Sequence, residues 1–361
     1  MARRLIAALL TAAISLMLAA AAPAQERQKI GVAFGGGSAK GIAHVGVIRW
    51  FEEHRIPIDV AAGTSMGGLI GGCYATGMSA AELDLMLSTM NWDELFGSSN
   101  FAFKNIRRKA DARAYPSKLE FGLRKGFSPP TSLNSGEQVD LLIARVTAPY
   151  YGIATFDDLP TPFRAVAVDL LSASQVVLDR GSLASAMRAT MSLPLIFPAV
   201  EADGKILVDG GAMNNVPADV TRRMGADVVI AVNVGDLSDP KEVNQTLFGL
   251  AGGTLSAMMR ASTKAGLATA DLVLDVPLVE KGYKSLDWRR SKELIEEGYK
   301  AAEAIKDQLL KYAVSDAEYQ RWVERRNGAR RTTIPAPAFV RFEGVVKADE
   351  QRMEATLDQH I

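Results

Sequence analysis

The stretch Ile58–Gly72, IDVAAGTSMGGLIGG, constrains this chain more than any other. A short apolar run, Ile58 to Ala62, has the length and residue types of a buried strand, and the turn Gly63-Thr64-Ser65-Met66-Gly67 follows it directly. Small residues then continue as a tightly packed helix. A strand that reverses into a helix through G-x-S-x-G pushes the central hydroxyl, here Ser65, into the open, because the flanking glycines allow the hard bend. The helix starts at the same point, so its first N–H groups favour negative charge developing nearby. Taken alone, the motif also fits an ordinary turn in a chain with 31 glycines.

With 361 residues the chain is long enough for one large domain or two of ordinary size. A composition of 48% hydrophobic and 23% charged residues supports a substantial core and fits neither a disordered nor a fibrous chain. The formal net charge is zero, so no global basic field points to nucleic acid. One cysteine, Cys73, excludes an intrachain disulfide and a Cys-based zinc site, and it is expected in the core. Three histidines, His44, His54 and His360, argue against a His-rich metal site, and no metal or organic cofactor is expected. Residues 1–24 read as a signal peptide: basic Arg3 and Arg4, an apolar core from Leu5 to Ala21, and the small-x-small site Ala22-Pro23-Ala24. The expectation is an exported protein that is periplasmic, outer-membrane-associated or secreted.

A hydrolase domain is expected over residues 25–314. Lys29–Phe34 is a strand-type run that ends in Gly35-Gly36-Gly37-Ser38-Ala39-Lys40-Gly41, and a helix is expected from about Ile42 to His54. The Gly loop has neither the Walker spacing nor the dinucleotide spacing, because Lys40 precedes the final glycine and Ser38 stands where a glycine would be needed. Unpaired backbone N–H groups at such a helix start suit another task, the stabilisation of an oxyanion. Strand, loop, helix, strand, turn and helix in series make an α/β unit with a parallel sheet, both Gly turns lying at the carboxyl edge of the strands. A capping box at Ser79–Glu82 opens a further helix to about Met90.

Residues 91–130 break the pattern. The aromatics Phe96, Phe101, Phe103, Phe121 and Phe127 alternate with basic residues such as Arg107, Arg108 and Lys109. The segment fits either a solvated insertion or a lid facing an anionic membrane surface. Regular elements resume at Ser135–Thr147, with strands at Phe163–Leu170, Gln175–Leu178, Lys205–Val208, Asp227–Val234 and Leu272–Val276. Helices are expected at Ser182–Thr190, Pro217–Met224, Leu247–Leu267 and Trp288–Tyr312. Composition changes after Val314, so residues 315–361 read as a linker and tail, with one strand at Phe339–Phe342 and one helix at about Ala348–Asp358.

A nucleophilic Ser65 needs a base, and no histidine is well placed. His44 and His54 sit on the first helix and His360 is next to last in the tail. Asp209 follows a strand and precedes Gly210 and Gly211, which would hold its carboxylate at the sheet rim. A buried carboxylate has a raised pKa and can serve as a base.

Taken together, the Gly loop, Gly63–Gly67, Asp209-Gly210-Gly211 and the intervening segment Ala189–Pro198 resemble the patatin-like phospholipase family over about residues 30–310. The resemblance implies an α/β fold, a mostly parallel sheet sandwiched by helices, and a lipid acyl hydrolase with a Ser–Asp dyad. It implies Ser65 as nucleophile, Asp209 as proton acceptor, and the N–H groups of Gly36, Gly37 and Ser38 as oxyanion hole. Lys40, Gly63, Gly67, Gly210 and Gly211 take supporting roles. Two departures stand out: Ser38 replaces a common glycine, and Thr190 replaces a common serine, read as a packing change. The expected substrate is a phospholipid or other acyl ester at a membrane surface. A carboxylesterase or thioesterase on soluble esters, or a non-catalytic lipid-binding or scaffold protein, would use the same features. The tail resembles the start of a POTRA module and fits a docking or dimerisation role equally well, so a homodimer is a further expectation.

Overall fold

The computed structural model describes residues 27–92, 134, 136–240, 242, 244–335, 351, 353 and 354. The expected signal peptide, the insertion beyond Trp92 and the tail from 336 onward, apart from 351, 353 and 354, lie outside the described residues.

Among the described residues eight strands form one sheet: β1 (Ile30–Phe34), β2 (Val60–Thr64), β3 (Phe163–Asp169), β4 (Ser174–Leu178), β5 (Val200–Ala202), β6 (Lys205–Asp209), β7 (Val228–Asn233) and β8 (Leu272–Asp275). Their order is β5-β6-β3-β2-β1-β7-β8, with β4 also paired to β3. The run β3-β2-β1-β7-β8 is parallel, and β4, β5 and β6 add an antiparallel edge. Every residue of β1, β2 and β7 is buried, the pattern of strands covered on both faces. Alternation along β1 divides the core accordingly. Val32 and Phe34 join the main cluster, whereas Ala33 joins a smaller one with Val216, Val229 and Ala231.

The helices are α1 (His44–Glu53), α2 (Met66–Ala75), α3 (Ala80–Thr89), α4 (Glu137–Thr147), α5 (Leu183–Thr190), α6 (Gly211–Asn214), α7 (Ala218–Arg223), α8 (Leu247–Leu267), α9 (Ser291–Ala304), α10 (Lys306–Leu309) and α11 (Asp316–Ala329). Most follow the expected spans. A tighter 3-10 turn over Ser38–Ala43 precedes α1, and the expected helix Trp288–Tyr312 is interrupted at Ile305. Over the main core, α1 and α9 cross at two glycines: a side chain on Gly46 would strike the Ile295 carbonyl, and one on Gly298 the Ala43 carbonyl. Backbone-to-backbone contact of this kind brings α9 close enough to bury Leu294, Ile295 and Ala302.

The boundary expected after Val314 needs correcting. Helix α11 docks on the domain through buried Tyr319 and Trp322 and through Arg326. The Arg326 guanidinium donates to the Tyr74 carbonyl at 2.7 Å and the Met78 carbonyl at 2.8 Å, and it stacks 4.0 Å from the Tyr74 ring centroid. Just beyond, Arg330 makes a two-point pair with Glu82 at 2.7 and 3.0 Å, which holds that carboxyl down to about 2. Few apolar anchors suffice here because a guanidinium caps the carbonyls where α2 ends, and so the charged composition hides a docked helix.

Gly298→Ala should lower stability by about 2 kcal/mol or more, because the added methyl meets backbone that cannot rotate away. Urea denaturation of the purified domain measures this, and an unchanged midpoint would show that α1 and α9 can separate without loss.

Candidate active site

Strand β2 ends at Thr64 and α2 begins at Met66, so Ser65 alone makes the bend. Its backbone sits at φ 56°, ψ −128°, a region that residues with a side chain rarely adopt and that costs about 1–3 kcal/mol. Glycines around the bend explain how the chain reaches it. A side chain on Gly63 would strike the Gly67 carbonyl, and one on Gly67 would strike the carbonyls of Phe34, the last residue of β1, and of Gly35 just after it. The supporting roles expected of both glycines therefore have a steric basis. Ser65 is 9% exposed, and its N–H donates to Thr190 Oγ1 at 3.0 Å.

Asp209 reaches the same rim from the antiparallel edge. Strand β3 separates the two residues: Thr64 pairs with Val166 and Asp209 with the adjacent Ala167. Asp209 is 2% exposed. Its Oδ1 accepts the Gly211 N–H at 2.8 Å, and Oδ2 has no hydrogen-bond partner among the described residues. Burial pushes the carboxyl up to about 6, against the opposing pull of the Ser65 hydroxyl and the Gly211 N–H. The Ser65 hydroxyl favours the ionised carboxyl, and no hydrogen bond closes on Oδ2. Gly210 passes so close to the Val166 carbonyl that a side chain there would collide with it.

The Gly loop departs from expectation at one position. The Gly36 N–H donates to the Asn215 carbonyl at 3.0 Å, so it is not free to receive an oxyanion. Gly36 serves instead by close approach, since a side chain there would run into Ser65 and Asn215. The N–H groups of Gly37 and Ser38 have no hydrogen-bond partner among the described residues. Ser38 sits at φ 52°, where a glycine would be relaxed. Lys40 is 5% exposed; burial pushes its ammonium down, while Asp236 and Glu280 oppose that shift.

Neither described histidine takes the part of a base. His44 Nε2 donates to the Gly35 carbonyl at 2.7 Å beneath the loop, its ring edge meets Phe34, and burial pushes it down to about 4. His54 stacks on Trp50. His360 lies outside the described residues. Cys73 is buried, as expected. Among the described residues, no group of three or more His, Cys, Asp or Glu is gathered that could hold a metal ion.

Three positions escaped the sequence reading. Thr190 is a hydrogen-bonding residue and not a packing substitution: Oγ1 accepts from Ser65 and donates to the Val166 carbonyl at 2.6 Å. Asn215 receives the Gly36 N–H through its carbonyl and ties the loop to α8 through Nδ2, which reaches Thr263 Oγ1 at 2.9 Å. Ser262, also on α8, donates to the Gly211 carbonyl at 2.5 Å. The Asn214-Asn215 doublet after Asp209-Gly210-Gly211 was the available signal for the second of these.

A model of the family described as patatin-like phospholipase matches residues 32–222, more than half of the chain. Patatin-like phospholipase domain-containing protein 7 of Mus musculus is 27% identical over 91% of this chain and 24% of its own length. Lysophospholipase NTE1 of Pyricularia oryzae is 26% identical over 85% of this chain and 20% of its own. The chain therefore spans a quarter or less of these relatives. Among solved structures, VipD from Legionella pneumophila superimposes with a TM-score of 0.38 at 13% identity, covering 80% of this chain and 67% of that one. On the family match, with strand, elbow and Asp-Gly-Gly turn arranged around one sheet, the chain belongs to the patatin-like phospholipase family.

Proposed function

We propose that this protein hydrolyses fatty acyl esters of lipids, as a phospholipase A or lysophospholipase, with Ser65 as nucleophile and Asp209 as base. The observation that carries the reading is a desolvated carboxyl, raised to about 6, acted on by a serine hydroxyl that a strained bend presents at the same rim. Ser65 Oγ attacks the ester carbonyl while Asp209 Oδ2 takes its proton. The oxyanion is received by the Gly37 and Ser38 N–H groups. Asp209 returns the proton to the departing alcohol, leaving the acyl group on Ser65, and water then releases the fatty acid by the reverse sequence. Lys40 adds a buried positive charge to the field around the Gly loop.

A lipid surface as partner draws support from α8. From Leu247 to Met259 this helix carries no charged residue, and Leu247, Leu250 and Met258 are exposed, Leu247 by 80%. The far half of the same helix is bonded to the turn after Asp209 through Ser262. An uncharged, exposed helix beside the site suits shallow insertion among acyl chains. Among the described residues no helix is long and apolar enough to cross a membrane. We also propose that residues 1–24 are removed on export, which the mass of the mature N-terminus from a secreting host would reveal.

Lipid-release profiling tests the dyad. Ser65→Ala and Asp209→Asn should each lower fatty-acid release by about 10⁴-fold or more, and fluorophosphonate labelling should disappear in the serine variant. Equal release from wild type and Ser65→Ala would remove Ser65 from the mechanism. Activity should rise with pH through about 6 as the base loses its proton, then level off.

Stability should run the other way. Between 3.8 and about 6 the folded chain keeps a proton on Asp209 that the unfolded chain releases, so stability falls as pH rises across that window. Asp209→Asn should therefore raise the unfolding midpoint at pH 7.5, by a gain on the order of 3 kcal/mol at most, and lose that advantage near pH 4. Thermal denaturation at both pH values reads the difference.

Replacing Leu250 and Met258 with Asp should slow hydrolysis of phospholipid vesicles by about tenfold or more while leaving a monomeric soluble ester unaffected. Equal losses on both substrates would favour an esterase acting on soluble esters.

A further inference from the structure

One short turn touches the backbone of both dyad residues. Helix α5 ends at Thr190, and the chain continues through Met191 to Ser192. The Thr190 hydroxyl accepts the Ser65 N–H at 3.0 Å, and two residues later the Ser192 carbonyl accepts the Asp209 N–H at 3.0 Å. All four residues are buried. The turn is itself fixed from two sides. Thr190 Oγ1 donates to the Val166 carbonyl at 2.6 Å, on the strand that separates Ser65 from Asp209. Ser192 Oγ donates to the Arg188 carbonyl and receives Arg188 Nη1, both at 3.0 Å. Arg188 is anchored in turn by an ion pair to Asp140 at 2.6 Å and by stacking on Phe197.

We propose that the Thr190–Ser192 turn is the positioning element that sets Ser65 against Asp209, with the Thr190 hydroxyl holding the nucleophile's backbone in its strained conformation. The inference rests on the reading of Ser65 as nucleophile and Asp209 as base. Ser65 at φ 56° needs surroundings that over-determine its conformation, and its N–H is the backbone group through which a side chain grips it. Carbonyl and hydroxyl lie on one rigid turn, so the separation between the two reacting side chains is set by that turn as well as by the sheet. The methyl group of Thr190 packs where a side chain on Gly68 would sit, which fixes its rotamer. Thr190 acts through Ser65 and is a positioning residue, not a catalytic one.

Four purified proteins test this: wild type, Thr190→Val, Thr190→Ser and Ser65→Ala, each assayed for kcat and KM on a p-nitrophenyl ester and for the rate of fluorophosphonate labelling. Valine keeps the shape and removes the acceptor, so kcat and labelling rate should fall about 10- to 100-fold with KM changed by less than about 2-fold. Serine keeps the hydroxyl and should recover all but about 3-fold of the rate. A Thr190→Val enzyme with wild-type kcat, or a serine variant as slow as the valine one, overturns the proposal; in the second case the methyl contact sets the site. Should the valine variant not fold, Thr190→Cys takes its place with the same expectation, since a thiol accepts hydrogen bonds weakly. Ser65→Ala separates the two levels. If it is inactive while Thr190→Val is fully active, only the positioning role is lost; if it still hydrolyses the ester, the nucleophile assignment and this inference fall together.

Discussion

A single bent residue sets the terms for everything around it. Ser65 carries a side chain at φ 56°, ψ −128°, and that conformation persists only where its neighbours leave no alternative. Gly63 and Gly67 let α2 seat against the ends of β1 and β2, and the Ser65 N–H is taken by Thr190. The same close packing buries Phe34, Met66 and Ile70 completely or nearly so, and the free energy of that burial offsets the local strain. Stability in the core and geometry at the rim thus share residues, and the bend cannot relax without opening the main core.

The second constraint is electrostatic. A carboxylate receiving two or three backbone N–H bonds is held well below its usual pKa. Asp209 receives one, from Gly211, and lies under the sheet rim away from solvent. Withholding donors costs stability when the group is ionised, and it also makes the group basic enough to take a proton near neutral pH. No imidazole is required to supply that basicity, and the two described histidines are occupied by packing and by the Gly35 carbonyl.

Much of this was legible in the residues themselves. Apolar runs ending in glycine located β1 and β2, and Asp209-Gly210-Gly211 located the rim on the far side of β3. What stayed hidden depends on partners distant in sequence. Nothing local to Gly36 shows that its N–H is claimed by the Asn215 carbonyl, so the expected oxyanion hole included one donor too many. A threonine at a helix end looks like packing until the N–H it faces, 125 residues away, is seen. Helix α11 escaped because its anchors are two aromatics and a buried guanidinium within a charged stretch, a pattern that hydropathy reads as linker.

That last helix bears on where this molecule begins and ends as a folding unit. The family match stops at residue 222, yet α9 supplies half of a glycine crossing and Arg326 caps carbonyls at the end of the very helix that starts beside Ser65. The family model covers the segment with Ser65 and Asp209; the packed domain extends about another hundred residues beyond it, through α11. Gene fragments cut at the limit of the family model would sever α2 from its cap, leaving the Tyr74 carbonyl to the Gly77 N–H and the Met78 carbonyl without its guanidinium donor.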